Sequence, residues 1–383
     1  MIPLPEQYIE LLQRTPQNPQ YHAEGNVYIH THRVLEAFEE YRDNHSLTAD
    51  EEIVLYWACI LHDIGKPFVT KWKENRWTAK GHEDAGVPHA REILLRQKEI
   101  TTAQRIKILN LVRWHHVPLN WMLNQIPFEN FEALSTSVDI KQVGLFASFD
   151  IKGRDCQKKE EILALGEKYC KEIVPKIEEK NGTLEYMNYQ YGGFTLKHQN
   201  ALWDAFSIKN AHLWSKLIRA NHQDSEKSVF QCIMPIGIPD TTKPEFLQSL
   251  YPDALYLSTK AWGIDGLLPE NEYEKQRIIT TFQHHLSMYA RKNRVVVLTG
   301  DHIYEETRKA LVNIVKNLKG KLTYYFFDTL LEDSIARNLA QPNPLSEPEI
   351  RIAHKTLRYP HPWEAHSWFM VTNPEEKTAE RVI

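Results

Sequence analysis

Apolar residues recur at spacings of three and four in two stretches of the first half, 50–61 (ADEEIVLYWACI) and 103–114 (AQRIKILNLVRW). That period lines one face of a helix, so both stretches predict amphipathic helices. Asp50, following Thr48, is placed to cap the first of them. The stretch 156–180, CQKKEEILALGEKYCKEIVPKIEEK, reads as a further helix, interrupted or ended near Pro175. Almost all of the first half reads as helix.

After about residue 225 the pattern changes. Short β-rich apolar runs appear at 229–238 (VFQCIMPIGI), 254–259 (ALYLST), 294–300 (RVVVLTG), 322–329 (LTYYFFDT) and 368–372 (WFMVT). Helical patterns lie between several of them, notably at 270–291 and 303–318. Strands alternating with helices predict a parallel sheet built from βαβ units. The polar, aromatic segment NGTLEYMNYQYGGF (181–194) reads as a loop, a junction or a hairpin. The expected organisation is an N-terminal domain over 1–180, a junction over 181–226 and a second domain over 227–383. A length of 383 residues suits two domains.

Composition narrows the class. Hydrophobic residues at 42% and charged residues at 25% describe a soluble globular chain and exclude a disordered one. No apolar run approaches the roughly 20 residues that span a bilayer. The start, MIPLPEQYIELLQR, lacks the basic and apolar regions of a signal peptide. Cys59, Cys156, Cys170 and Cys232 are scattered without CxxC spacing, which excludes a zinc ribbon or disulfide scaffold and fits the cytoplasm. A net charge of -4 argues against coating long duplex DNA, but not against holding one nucleic-acid end in a local basic pocket. No membrane partner is expected, and nothing in the sequence speaks to the oligomeric state.

The unusual figure is 18 histidines, because histidine is the commonest metal ligand and proton carrier. In the first half the candidate ligands are His30 (VYIHTH), His62 and Asp63 (CILHDIGKP), His82 (AKGHEDAG), His115 (VRWHHVP) and Asp150 (ASFDIKGRD). Adjacent His62 and Asp63 can bind one cation or bridge two. Imidazole with carboxylate suits Mn, Fe, Ni, Co or Zn. Gly65 is placed for a sharp turn, and Lys66 for a nearby phosphate. His22 and His32 read as surface residues.

This ordered set, with its flanks, resembles the HD-domain metal phosphohydrolases. HAEGNVYIHT (22–31) is similar to the opening of the HD domain of bacterial tRNA nucleotidyltransferases, and LHDIGKP, GHEDAG and VRWHHVP follow in the family's order. The resemblance covers roughly 15–175 and implies an all-helical bundle holding one or two divalent cations. It implies His30, His62, Asp63 and Asp150 as the minimal ligand set. His82 and His115 would be the further ligands of a two-metal site, or phosphate donors instead. His116 competes with His115; the spacing to Pro118 favours His115. Asp63 would serve catalysis as well as metal binding. Lys66, Lys152 and Arg154 are the expected phosphate contacts, because their charge complements the developing anion.

In the second half, IMPIGIPDTTKPEFLQSLYP (233–252) follows a predicted strand and leads into a helix, resembling a P-loop. Gly237 and Lys243 match. Thr242 stands where a glycine is expected and Pro244 where Ser or Thr should bind magnesium. Asp240 adds a negative charge where phosphate should sit. DALYLSTKAW (253–262) resembles the polynucleotide-kinase strand that carries the general base, with Lys260 at that position. VVVLTGDHIYEETR (295–308) resembles the next strand and helix, and SIARNLAQPNPLSEPEI (334–350) the lid, keeping Arg337 and Asn338 but placing Gln341 near a missing arginine. Gly237, Lys243 and Arg337 are the residual nucleotide-binding candidates. The combined losses predict a domain that keeps the fold without the kinase activity.

The whole is thus expected to be an N-terminal all-α HD-domain bundle plus a C-terminal α/β P-loop kinase-like domain with a parallel sheet. That arrangement resembles the bacterial bifunctional RNA end-healing enzymes. It implies a metal-dependent phosphoesterase acting on 2′,3′-cyclic, 2′- or 3′-phosphate ends of RNA. The alternatives are a phosphohydrolase of free or cyclic nucleotides, and a nucleic-acid-binding or inhibitory protein whose metal is structural.

Overall fold

Thr48 accepts from the Glu51 backbone N–H while the Glu51 carboxylate accepts from the Thr48 N–H, and this capping box starts the helix that ends on the His62–Asp63 pair. The cap is therefore Thr48 rather than Asp50, which lies in the first turn where its charge favours the helix N-terminus. The computed structural model describes residues 2–135, 137–181, 230–240, 242–292, 294–360 and 364–382. The expected junction over 181–226, with its aromatic segment, lies almost wholly outside them. The chain divides into two units, Met1–Leu184 and Glu185–Ile383.

The described part of the first unit runs α1 (Glu6–Arg14), α2 (Val27–Asn44), α3 (Ala49–Leu61), α4 (Lys66–Val69), β1 (Lys71–Lys73), β2 (Arg76–Thr78), α5 (His82–Leu95), α6 (Thr102–Trp114), α7 (Val117–Leu123), α8 (Phe128–Leu134), α9 (Ile140–Gly153), α10 (Lys159–Lys168) and α11 (Val174–Asn181). A π-helical turn, Tyr169–Ile173, joins the last two helices immediately before Pro175. Proline lacks the N–H that would continue the ladder, and the helix widens there instead of stopping. The unit is not all-α: β1 and β2 form an antiparallel hairpin, because Glu74 and Asn75 both take positive φ (52° and 57°).

Helices α2, α3 and α9 pack on one another, and α6 packs on α3 and α9. Their shared core includes Val34, Phe38, Leu55, Phe146 and Phe149, all fully buried. Gly153 of α9 lies against Val34 of α2, where an added Cβ would stand 3.0 Å from the Val34 nitrogen. This close approach brings Asp150, one turn earlier on α9, up to His30 on α2.

The described part of the second unit contains a six-stranded sheet in the order β4 (Leu255–Ser258), β5 (Val295–Thr299), β3 (Phe230–Ile236), β6 (Gly320–Phe327), β7 (Ser367–Val371) and β8 (Glu380–Arg381). The first five strands are parallel, and β8 pairs antiparallel with β7. The sheet is thus mixed rather than purely parallel. The described connecting helices are α12 (Thr242–Leu250), α13 (Glu272–Ala290), α14 (Glu305–Asn317), α15 (Leu331–Leu339) and α16 (Glu347–Thr356). Central strands β3 and β6 are buried nearly throughout, as strands covered on both faces must be. The chain leaves β3 for β4, returns to β5, then crosses to β6. The carboxyl ends of β3 and β5 therefore meet at a topological switch point, where open α/β sheets bind ligands.

Candidate metal centre

Five helices deliver the six predicted ligands to one buried point. His30 lies on the first turn of α2, which Asn26 caps by accepting from the Ile29 N–H. His62 and Asp63 end α3, His82 begins α5, His115 ends α6 and Asp150 lies near the end of α9. None of the six is more than 4% exposed. The turn after Asp63 does not need glycine for its backbone, since Gly65 has φ -83°. It needs glycine for room. An added Cβ would overlap the His82 carbonyl oxygen and stand 2.8 Å from the Gly86 α-carbon. The expectation of a sharp glycine turn is corrected accordingly.

Asp63 is central. Its Oδ2 lies 3.2 Å from His62 Nε2 and 3.7 Å from His30 Nε2. Its Oδ1 lies 3.2 Å from His82 Nε2. On one flank, His30 Nε2 stands 3.0 Å from Asp150 Oδ1. On the other, His82 Nε2 stands 3.4 Å from His115 Nε2. Ligand atoms of His30, His62 and Asp150 lie within 4.8 Å of one another, as do those of His82, His115 and His116.

The rings are aimed by their second nitrogens. Nδ1 of His62 donates to the Cys59 carbonyl (2.9 Å), Nδ1 of His82 to Ala79 (2.9 Å) and Nδ1 of His115 to Val112 (2.7 Å). A donated Nδ1–H leaves the Nε2 lone pair facing inward, which is how metal-binding histidines are oriented. His62 Nε2 and both carboxylate oxygens of Asp63 are buried and make no hydrogen bond of good geometry, although the Lys66 ammonium stands beside Oδ2. Buried polar atoms left so are costly, and a divalent cation among them would satisfy them all. Burial alone would raise the Asp63 carboxyl, but the neighbouring His62 and Lys66 hold it well below its ordinary range. Burial likewise opposes ionisation of Asp150, and Arg154 with His30 outweighs it. Burial and the adjacent imidazoles push His115 and His116 down, so both stay neutral, the form that ligates. The residues present fit one or two divalent cations of the first transition row.

The neighbouring histidines differ in accessibility. His116 has both nitrogens engaged, Nδ1 3.2 Å from Glu83 Oε1 and Nε2 3.1 Å from the Arg154 guanidinium. His115 keeps Nε2 directed at His82. His22 is not a surface residue: it is 9% exposed and its Nδ1 lies 2.8 Å from Glu24 Oε1. His32 is exposed, as expected, beside Glu36. The Glu24 carboxylate also lies 3.0 Å from Nδ1 of His30 and accepts from the Asp155 N–H at 2.8 Å. Burial alone would raise the Glu24 carboxyl; these bonds lower it well below the usual range. Sequence reasoning passed over Glu24, although its place six residues before His30 on a capped loop was the signal available.

A cavity of about 270 Å³ reaches the cluster at His82 and is lined also by Gln17, Tyr21, Lys66, Trp77, Lys80 and Arg154. Two cations stand between it and the carboxylates. Lys66 Nζ lies 2.7 Å from Asp63 Oδ2 and donates to Gln17 Oε1 at 2.6 Å. Arg154 pairs with both oxygens of Asp150 through Nε and Nη2. Lys152 does not join them. It is exposed, and its backbone carbonyl accepts from Lys159 Nζ.

In the second unit, Gly237 and Lys243 do meet at the carboxyl end of β3. The Lys243 ammonium is buried and donates to the Gly237 and Ile238 carbonyls at 2.9 and 2.8 Å, and to Asp301. Arg337 donates three hydrogen bonds to Asp240, the shortest 2.7 Å. Both cations at the switch point are therefore matched by the chain's own carboxylates. Lys260 is exposed on a 3-10 turn, Lys260–Trp262. Among the described residues no helix is long and apolar enough to cross a membrane.

Comparison with known proteins places the first unit. The Multifunctional CCA protein of Halorhodospira halophila is 32% identical over 112 residues, 29% of this chain and 24% of that protein. The chain thus spans about a quarter of the length of that curated relative. Residues 27–166 match the family model of the HD domain, and these residues contain all six clustered His and Asp side chains. This part of the chain therefore carries an HD domain.

Proposed function

We propose that the N-terminal unit is a phosphoesterase acting on the 2′,3′-cyclic, 2′- or 3′-phosphate ends of RNA. The observation that carries the reading is one cavity in which Lys66 and Arg154 stand beside a His/Asp cluster with orphaned ligand atoms. When bound, divalent cations acidify water and neutralise charge on phosphoryl oxygens. The chain's own residues do the rest. His30, His62, Asp63 and Asp150, with His82 and His115 on the far flank, hold the cation sites. Lys66 and Arg154 hold the phosphate, and their carboxylate partners fix them in place before substrate arrives. Water adds to phosphorus and one ester bond breaks, its oxygen leaving as the hydroxyl.

The cavity's size supports an end rather than a whole ligand. About 270 Å³ falls at the low edge of pockets that enclose a small molecule, so a terminal group attached to a longer chain suits it. The test is purified full-length protein with manganese or nickel on an oligoribonucleotide ending in a 2′,3′-cyclic phosphate, followed by mass spectrometry. Ring opening or phosphate loss, abolished in Asp63→Ala, is expected. Full activity in that variant would overturn the site. Preference for mononucleotides over the oligonucleotide would move the reading to free nucleotides.

For the second unit we propose a kinase-like fold that transfers no phosphate. Thr242 and Pro244 stand where a P-loop needs a glycine and a magnesium-binding hydroxyl, and Asp240 and Asp301 put negative charge beside Arg337 and Lys243 where a triphosphate would lie. Phosphorylation of a 5′-hydroxyl RNA by ATP, lost in Lys243→Ala, would reverse this conclusion.

A further inference from the structure

The hairpin β1–β2 carries chemistry that the phosphate cavity does not use. Its sequence from Lys71 to Lys80 is KWKENRWTAK, with four cations against one carboxylate. Lys73 pairs with Glu74 at 3.1 Å; among the described residues Lys71, Arg76 and Lys80 meet no carboxylate. Trp72 and Trp77 are direct cross-strand partners and so share one face. Their rings meet edge to face, centroids 5.2 Å apart at 72°, an arrangement that leaves ring faces open. Trp72 is 57% exposed, and no residue of either strand is buried. An isolated two-stranded hairpin is marginal in water, so an aromatic as exposed as Trp72, set against a half-buried Trp77, is not explained by core packing. Lys71, Lys73 and Arg76 start from the opposite face, but a ribbon two strands wide lets such long side chains reach round either edge.

The position decides what would lie there. Trp77 lines the cavity, and so do Thr78, Ala79 and Lys80, which carry the chain from the hairpin down to His82. The platform is therefore continuous with the site. Open aromatic faces beside exposed cations, of which Lys73 is paired but only with its solvent-exposed neighbour Glu74, are the two parts of a single-strand nucleic-acid surface, since every base has a stacking face and every nucleotide a phosphate.

We propose that β1–β2 is a binding arm for single-stranded RNA: Trp72 and Trp77 stack bases, while Lys71, Lys73 and Arg76 hold the phosphates of the strand whose end enters the cavity. The proposal rests on the phosphoesterase reading for what happens to that end, but binding can be tested apart from it. The hairpin explains how a cavity too small for several nucleotides acts on a polymer, by placing the contacts with the chain outside it.

The experiment measures affinity of the full-length protein for a labelled ten-nucleotide single-stranded RNA bearing a 3′-phosphate, by anisotropy with chelator present so that no turnover intervenes. Trp72→Ala should weaken binding about tenfold, and Trp72→Tyr should restore most of it. Lys71→Ala/Lys73→Ala/Arg76→Ala should flatten the dependence of log affinity on log salt by about 2. With manganese, the same variants should raise KM for the oligonucleotide and leave hydrolysis of a mononucleotide unchanged. Equal RNA affinity in wild type and all three variants, or no RNA binding by wild type, would overturn the arm. So would hairpin-dependent binding to phosphatidylserine vesicles without RNA binding, which would make it a lipid contact. Absence of hydrolysis with RNA binding intact and hairpin-dependent would remove the phosphoesterase reading and keep the arm.

Discussion

Gly65 presses its bare α-carbon against the backbone of His82, whose carbonyl oxygen stands within the space a methyl group would need. The contact joins the turn after Asp63 to the start of α5 and holds His82 Nε2 3.2 Å from Asp63. Gly65→Ala should force α4 and α5 apart. Overpacking of this kind costs about 1–3 kcal/mol. Its larger effect is expected on the ligand set: metal content measured by mass spectrometry should fall along with the melting temperature. Unchanged metal content would show that the two helices tolerate the separation.

Glu24 acts through His30. Its carboxylate meets Nδ1 of that ring, and Asp150 meets Nε2. Outer partners of this kind fix ring orientation and basicity, and their loss lowers metal affinity about 10–100-fold. Glu24→Gln should therefore weaken manganese binding in calorimetric titration by that order while leaving the circular dichroism spectrum unchanged.

His115 and His116 are adjacent but not equivalent. His115 directs Nε2 at His82, whereas both nitrogens of His116 are engaged by Glu83 and Arg154. His115→Ala should lower bound metal, and His116→Ala should instead raise KM by freeing Arg154. A loss of metal confined to His116→Ala would exchange the two roles.

Bound metal should stabilise the first unit. An ion at 100 times its dissociation constant adds about 2.7 kcal/mol to a folded state that alone binds it. Adding manganese to chelator-treated protein should raise the melting temperature, and the rise should vanish in Asp63→Ala.

Asp240 provides the acid response of the second unit. Burial raises its carboxyl, but hydrogen bonds from Arg337 and Thr242 outweigh burial and hold it below 3.8. A depressed carboxyl contributes stability in full above its unfolded value and loses it as pH falls through the lower folded value. Asp240→Asn should therefore lower the melting temperature at pH 7, and the deficit should shrink as the pH is brought below 3.8 toward the folded value. A deficit constant across that range would show that the carboxylate's charge is not what Arg337 needs.

Much of this is legible in the sequence. The helical period at 50–61 and 103–114 and the apolar runs after 225 became α3, α6 and the strands of the sheet, because periodicity records which face each element must bury. The six His and Asp candidates were visible because their residue types suit a cation and their flanks resemble a known family. The hairpin was not visible. KWKENRWTAK has too few apolar positions to register as strand, and only the two positive φ angles at Glu74 and Asn75 bring Trp72 onto Trp77.

What the sequence determined by itself is chemistry and local period: which side chains exist, in what order, and which elements they prefer. Tertiary structure decided convergence. His30 and Asp150 are 120 positions apart, and their 3.0 Å meeting depends on Gly153 letting α9 close on α2. It decided tautomer too, since only the folded backbone places carbonyls under Nδ1 of His62, His82 and His115. It also decided that Lys243 and Arg337 are held by Asp301 and Asp240. A close approach between distant segments depends on the packing of every element between them, and a period of 2 or 3.6 residues carries no record of that.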